Sequence, residues 1–195
     1  MKKINFLLLI FCVSFGLISC SSDDDGASTS DRMIVDGTSY ELESAIISNY
    51  GSFDGVSNFD LALVSSDVIK AGNVYLPEQE KVSALYFELY TEVADQLPLG
   101  TYTFDDNETA GTFSANSMLL ITNNWANEDD AEYIGSLASG TIEVLKNGPT
   151  EYEFTFDVTT TDGKKVTGYF KDNDVYLEDD SWDRPSAEKQ KGFFN

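Results

Sequence analysis

The sequence predicts an all-β domain, a single antiparallel β-sandwich of about 8–10 strands that ends in a C-terminal meander. Three observations carry that prediction. Segments in which apolar and polar residues alternate with period two recur along the chain. Gly, Asn and Asp stand between those segments at short spacing. No stretch carries a capped apolar stripe at the 3.6-residue period of a helix.

The elements follow in order. Residues 42–50 are rich in Ile and Ala and alternate weakly. In "NFDLALV", Phe59, Leu61 and Leu63 share one face. In "VSALYFELYTEV", Leu85, Phe87 and Leu89 take one face, and Tyr86, Glu88 and Tyr90 the other. "GTYTF" and "SMLLIT" add two strands. The clearest alternation sets Tyr152, Phe154, Phe156 and Val158 against Glu151, Glu153, Thr155 and Asp157. Asn147-Gly148 precedes it and Asp162-Gly163 follows it, and both dipeptides tolerate the positive φ of tight hairpin turns. Strands near 140–146, 151–160 and 164–171 therefore form the meander. Asp172-Asn173-Asp174 then turns the chain into a last short strand at 175–177. Patterning does not report closure, because inward and outward residues alternate in sandwiches and barrels alike. A lipocalin-like closed barrel is thus the alternative architecture.

The first residues have a different logic. Lys2 and Lys3 precede an uncharged, mostly apolar run over 6–18. That run suits a secretory signal and is too short for a membrane span. Leu17-Ile18-Ser19-Cys20 resembles the lipobox of bacterial lipoproteins. There the cysteine thiol receives diacylglycerol, the signal is cut just before it, and the new amine is acylated. Cys12 does not fit, because bulky Phe11 precedes it. Several acyl chains anchor durably where one holds only marginally. Ser21, Ser22, Asp23, Asp24 and Asp25 resemble the acidic export signal of Bacteroidota surface lipoproteins. These resemblances imply an outer-membrane protein, lipid-anchored and displayed at the cell surface, with a periplasm-facing orientation as the alternative. Residues 21–30 lack apolar periodicity and read as a flexible stalk.

The chain therefore divides into a signal peptide at 1–19, a lipidated Cys20 with an acidic tether to 31, an all-β domain at 32–180, and a tail at 181–195. Phe193 and Phe194 in the tail are expected to dock rather than stand in water. Pro98-Leu99-Gly100-Thr101-Tyr102, the "SGTIEV" strand and "GKKVTGYF" resemble a group of small uncharacterised lipoproteins of flavobacterial type, common in Bacteroidota. The resemblance runs from the lipobox to near Asp180 and rests on turn and strand chemistry. It implies a shared β-rich fold and supplies no catalytic residues.

Composition narrows the function. The chain has 12 Lys and Arg against 34 Asp and Glu, a formal charge of −22. No basic run exists to neutralise phosphates, which argues against nucleic acid and against anionic lipid surfaces. Membrane contact is then expected only through the lipid on Cys20. The sequence holds no histidine, and a lipidated Cys20 leaves the mature chain no thiol. Ser-His-Asp and Cys-His catalysis and the usual zinc sites fall away. No cofactor or metal is assigned. Asp105-Asp106-Asn107-Glu108 and the acids of 128–132 lack EF-hand spacing and read as solvated loop acids. About 145 residues after the stalk suit one domain with a full core.

Three functions remain. In a binding module for glycan or protein, Tyr86, Tyr90 and Trp125 supply exposed aromatic planes for stacking. A structural or accessory subunit of an outer-membrane complex presents a flat apolar patch instead. A carboxylate-based hydrolase would use Asp60 and Glu88, the acids set in strongly apolar strands. The binding module, without catalysis, is the expectation.

Overall fold

The computed structural model describes residues 30–72, 74–93 and 95–179. The first strands are β1 (Arg32–Val35), β2 (Thr38–Glu41), β3 (Ser44–Phe53), β4 (Val56–Val64), β5 (Val68–Ala71), β6 (Val74–Pro77) and β7 (Val82–Thr91). There follow β8 (Gly100–Phe104), β9 (Thr112–Phe113), β10 (Met118–Thr122), β11 (Ala131–Asn147), β12 (Tyr152–Thr160), β13 (Lys165–Asp172) and β14 (Tyr176–Asp179). Among the described residues the only helical element is a single 3-10 turn at Glu128–Asp130. The protein is all-β.

Among the described residues twelve strands form one sheet, in the order β14-β3-β4-β7-β9-β8-β11-β12-β13-β1-β2, with β10 between β7 and β11. Of the two all-β architectures that the sequence left open, sandwich and closed barrel, the strands take the rolled form. Strands β9 and β10 follow one another along β7, pairing Tyr90 with Thr112 and Tyr86 with Met118. At one end β10 bridges β7 directly to β11, and at the other β8 is wedged between β9 and β11. The ladder returns on itself through β7, β9, β8, β11 and β10, so the sheet closes into a small barrel with extra strands. Two pairings are parallel, β8 with β9 and β14 with β3, against the expectation of a wholly antiparallel sheet.

Closure depends on the length of β11, which spans seventeen residues where the sequence reading placed seven. Its first part pairs with β10 and its second with β8. The strand bends between the two at Gly140, whose φ is +112°. A Cβ there would lie 2.2 Å from the Asp157 carbonyl oxygen, so only glycine fits. The rolled sheet wraps one core. Leu61, Leu63, Leu85, Phe87 and Leu89 are all fully buried. Each such side chain contributes about 1.5–3 kcal/mol. Phe87 and Phe156 meet with ring centroids 6.3 Å apart although β7 and β12 are not neighbours.

The meander of β11, β12 and β13 is present, in antiparallel register from Asn147 with Tyr152 to Thr159 with Lys165. Gly163 takes the expected positive φ of +91°. The turn after Asn147 is closed instead by Gly148 N–H donating to the Glu151 carbonyl at 2.7 Å. The last strand leaves the meander and joins β3. Two hairpins escaped the sequence reading. The β1–β2 hairpin turns through Asp36 and Gly37, with φ of 47° and 84°. The β5–β6 hairpin belongs to a second apolar cluster, with Ile46, Ala62, Val64, Ala84 and Tyr86 from the outward faces of β3, β4 and β7.

Candidate functional site

Two places gather the residues that bear on function. The first is the outward face of β4 and β7. Register sets Asp60 directly opposite Glu88, so the two acids singled out from sequence are cross-strand neighbours. Tyr86 and Tyr90 share that face on either side of Glu88.

The face does not offer the expected open aromatic planes. All ten residues of β7 are buried, because the strand is central and covered on both faces. Tyr86 is 5% exposed and Tyr90 4%. Trp125 is half-buried against the outer apolar cluster, and its backbone N–H donates to the Glu80 carbonyl at 3.0 Å. Tyr86 and Trp125 pack in the outer apolar cluster, and Tyr90 is buried beside Glu88. Period-two alternation identified the face of Tyr86 and Tyr90 correctly but not what lies over it.

The two acids have local partners. Ser114 Oγ and Asn116 Nδ2 both donate to Glu88 Oε2, the latter at 2.8 Å. Glu88 N–H donates to Ser117 Oγ at 3.0 Å, and Ser114 N–H to the Glu88 carbonyl at 3.1 Å. Glu88 thus pins the 114–117 turn that separates β9 from β10. Tyr86 donates its phenol proton to Asp60. Burial pushes the Tyr86 phenol far above its ordinary range, and the Asp60 and Glu88 charges push it further.

The second place is a half-open cleft of about 310 Å³ along the seam where β3, β4 and β14 meet residues 95–97 and the β11–β12 turn. Ile47, Phe59, Leu97 and Tyr152 form its apolar floor, and Leu177 of β14 a wall. Asp95 and Asp179 stand on its rim, and Glu178 of β14 lines it beside them. Internal hydrogen bonds build it. Gln96 Nε2 donates to the Gly148 carbonyl at 3.2 Å, and Asn147 Nδ2 to the Leu97 carbonyl at 3.0 Å. Together they fix residues 96–97 against the β11–β12 turn. On the face of β3 and β14 away from the cleft, Ser48 Oγ donates to Glu178 Oε2 at 2.9 Å and ties the two strands. Val175 N–H donates to the Thr150 carbonyl at 2.9 Å, guiding the chain into β14. Nearby, Tyr102 O–H donates to the Pro98 carbonyl at 3.0 Å, which gives the Pro98–Tyr102 motif a structural purpose.

None of Asp60, Glu88, Tyr86, Tyr90 or Trp125 lines this cleft. Its lining comes from five separated stretches of chain, and no local spacing announces it. Cys20, Ser21, Ser22, Asp23, Asp24 and Asp25, and the tail with Phe193 and Phe194, lie outside the described residues.

The oxygen-rich loops spend their acids locally. Asp105 Oδ1 accepts from Asn107 N–H at 3.0 Å, and Asp130 Oδ2 from Asn127 Nδ2 at 2.9 Å. Among the described residues, no three acids or other ligating side chains are grouped to hold a metal ion.

Comparison with protein-family models, with curated proteins and with solved structures gives no match. The fold and the cleft define the class: a small all-β barrel with extra strands and a solvent-open cleft, apolar at its floor, between β14 and the β11–β12 turn.

Proposed function

We propose that the protein is a non-catalytic binding module whose ligand, a glycan or a segment of another protein, enters the seam cleft. The observation that carries this is the cleft itself. Its volume of about 310 Å³ falls at the lower end of the range of ligand pockets, and an apolar floor with a few polar rim groups is the usual construction. The chemistry of the acids supports binding over hydrolysis. Glu88 is occupied in pinning a turn, Asp60 receives the Tyr86 phenol, and neither lines the cleft.

The lipobox-like register at Cys20 and the acidic 21–25 stretch support the rest of the reading. In it the mature chain is held by lipid at the outer membrane and displayed at the cell surface. Such a tether keeps a binding domain at an interface where ligands arrive. With a side-chain charge of −22, nucleic acid has no place in it.

The test is a glycan-array and surface-protein screen with full-length protein, beside Leu177→Trp. Leu177 is 43% exposed on the cleft wall, so a tryptophan there fills the cleft without disturbing the core. A ligand that binds the native protein and not the variant supports the reading. A ligand that binds both equally places the site elsewhere. Polysaccharide turnover abolished by Glu88→Gln in a folded protein would replace binding with hydrolysis.

A further inference from the structure

We propose that residues 180–186, which follow β14 and lie outside the described residues, form a strap across the outward face of β3 and β4, with Arg184 on the carboxylates of Glu178 and Asp60 and Trp182 on the neighbouring tyrosines. The strap lies on the face away from the cleft, and it does not depend on what the cleft binds. Register lays that face out in rows. Tyr176, Ile46, Ala62 and Tyr86 form one row across β14, β3, β4 and β7, and Glu178, Ser48, Asp60 and Glu88 form the next. Asn58 and Tyr90 oppose each other in the row beyond. The β5–β6 hairpin and Trp125 cover the first row through the outer apolar cluster. Ser48, Asn58, Asp60, Glu88 and Tyr90 are buried as well, and Tyr90 belongs neither to that cluster nor to the main core. Their burial calls for a second cover.

The segment after β14 has the position, the reach and the chemistry. β14 ends at Asp179, one residue past the end of the acid row. Neighbouring strands lie about 4.8 Å apart, so β4 is about 10 Å from β14. Arg184 stands five residues beyond Asp179, a length of about 17 Å in extended chain. In such a strap Trp182 and Arg184 point to one side, and Ser181, Asp183 and Pro185 to the other. Buried acids facing one another across strands are costly unless a cation stands over them. Guanidinium is the cation that matches carboxylates in geometry. Glu88 is held by Ser114 and Asn116, so Arg184 is assigned to Asp60 and Glu178, which stand on either side of Ser48. The strap thereby clamps the edge strand that walls the cleft.

The experiment is thermal unfolding and acrylamide quenching of the full-length protein. Arg184→Gln should lower the melting midpoint by about 5 °C. Most of that loss should disappear in an Asp60→Asn, Glu178→Gln background, because the partners are already gone. Asp183→Asn, on the far side of the strap, should leave the midpoint unchanged. The chain has two tryptophans, so in Trp125→Phe the emission comes from Trp182 alone. Acrylamide should quench it far less in folded protein than in urea, and Arg184→Gln should remove that protection. If the double background fails to fold, the quenching decides alone. An Arg184→Gln loss of the same size in both backgrounds overturns the strap. So does a Trp182 that is quenched as freely in folded protein as in urea. Protection that vanishes on dilution gives the face to a second copy of the chain and overturns the intramolecular strap.

Discussion

Replacing Glu88 tests whether this buried acid is a structural pin. The side chain is 7% exposed, and one of its oxygens takes hydrogen bonds from Ser114 and Asn116. Ser114 is 1% exposed, so in Glu88→Ala its hydroxyl loses a charged acceptor with little water to replace it, at a cost of about 1–3 kcal/mol. Asn116 is exposed and rehydrates, so its loss costs little. Lost methylene packing and relief from burying a charge act in opposite directions and are of similar size. The net destabilisation is about 2 kcal/mol. Glu88→Gln keeps an oxygen for Ser114 and loses only the charge assistance, about 1 kcal/mol. Urea unfolding read by circular dichroism gives both values, with the midpoint falling at constant m. If Ala and Gln cost the same, or if Ala costs under about 0.5 kcal/mol, Glu88 is not holding the 114–117 turn.

Three further outcomes follow from the same structure. Gly168→Ala should cost about 1–3 kcal/mol by urea unfolding, since its Cβ would lie 2.4 Å from both Phe156 Cζ and the Arg32 carbonyl oxygen; a neutral result would mean β1 and β13 are looser than described. Tyr86 ionises in the folded chain far above its ordinary 10.0, mainly through burial. Its contribution to stability is therefore complete below the unfolded value and lost as pH rises through and beyond it, by about 1.4 kcal/mol per pH unit. Tyr86→Phe should flatten that alkaline slope in unfolding midpoints measured between about pH 9 and about pH 11, and an unchanged slope would contradict the buried phenol. Lipidation at Cys20 predicts acyl mass on a chain that starts at that residue, and loss of Cys20→Ala from the membrane fraction. Full retention of the variant would end the anchor proposal.

Much of the fold was legible because burial on one face leaves a period-two trace. Phe59, Leu61 and Leu63, and likewise Tyr152 to Val158, point to the core as the alternation required. The same rule hid three things. It is blind to closure, since β11 reads alike whether it ends one sheet or bends at Gly140 into the next pairing. It missed β1 and β2, four residues each, although Asp36-Gly37 was an available hairpin signal. It took Tyr86 and Tyr90 for a wet face because tyrosine and glutamate alternate with leucine, whereas β7 is buried throughout. The candidate site was less legible still. Residues 47–49, 95–97, 148–152 and 177–179 meet only after the sheet has rolled and β14 has returned to β3. Register did unite Asp60 and Glu88, which the sequence singled out without any sign that they touch.

The central claim is that ligand binds in the seam cleft and not on the outward face of β7. Hydrogen–deuterium exchange of the full-length protein, with and without a ligand returned by the surface screen, tests it directly. The account predicts new protection at 95–97, 148–152 and 176–179, with no change at 86–90 or 125. Protection at 86–90 and around Trp125, with the cleft segments unchanged, would contradict it.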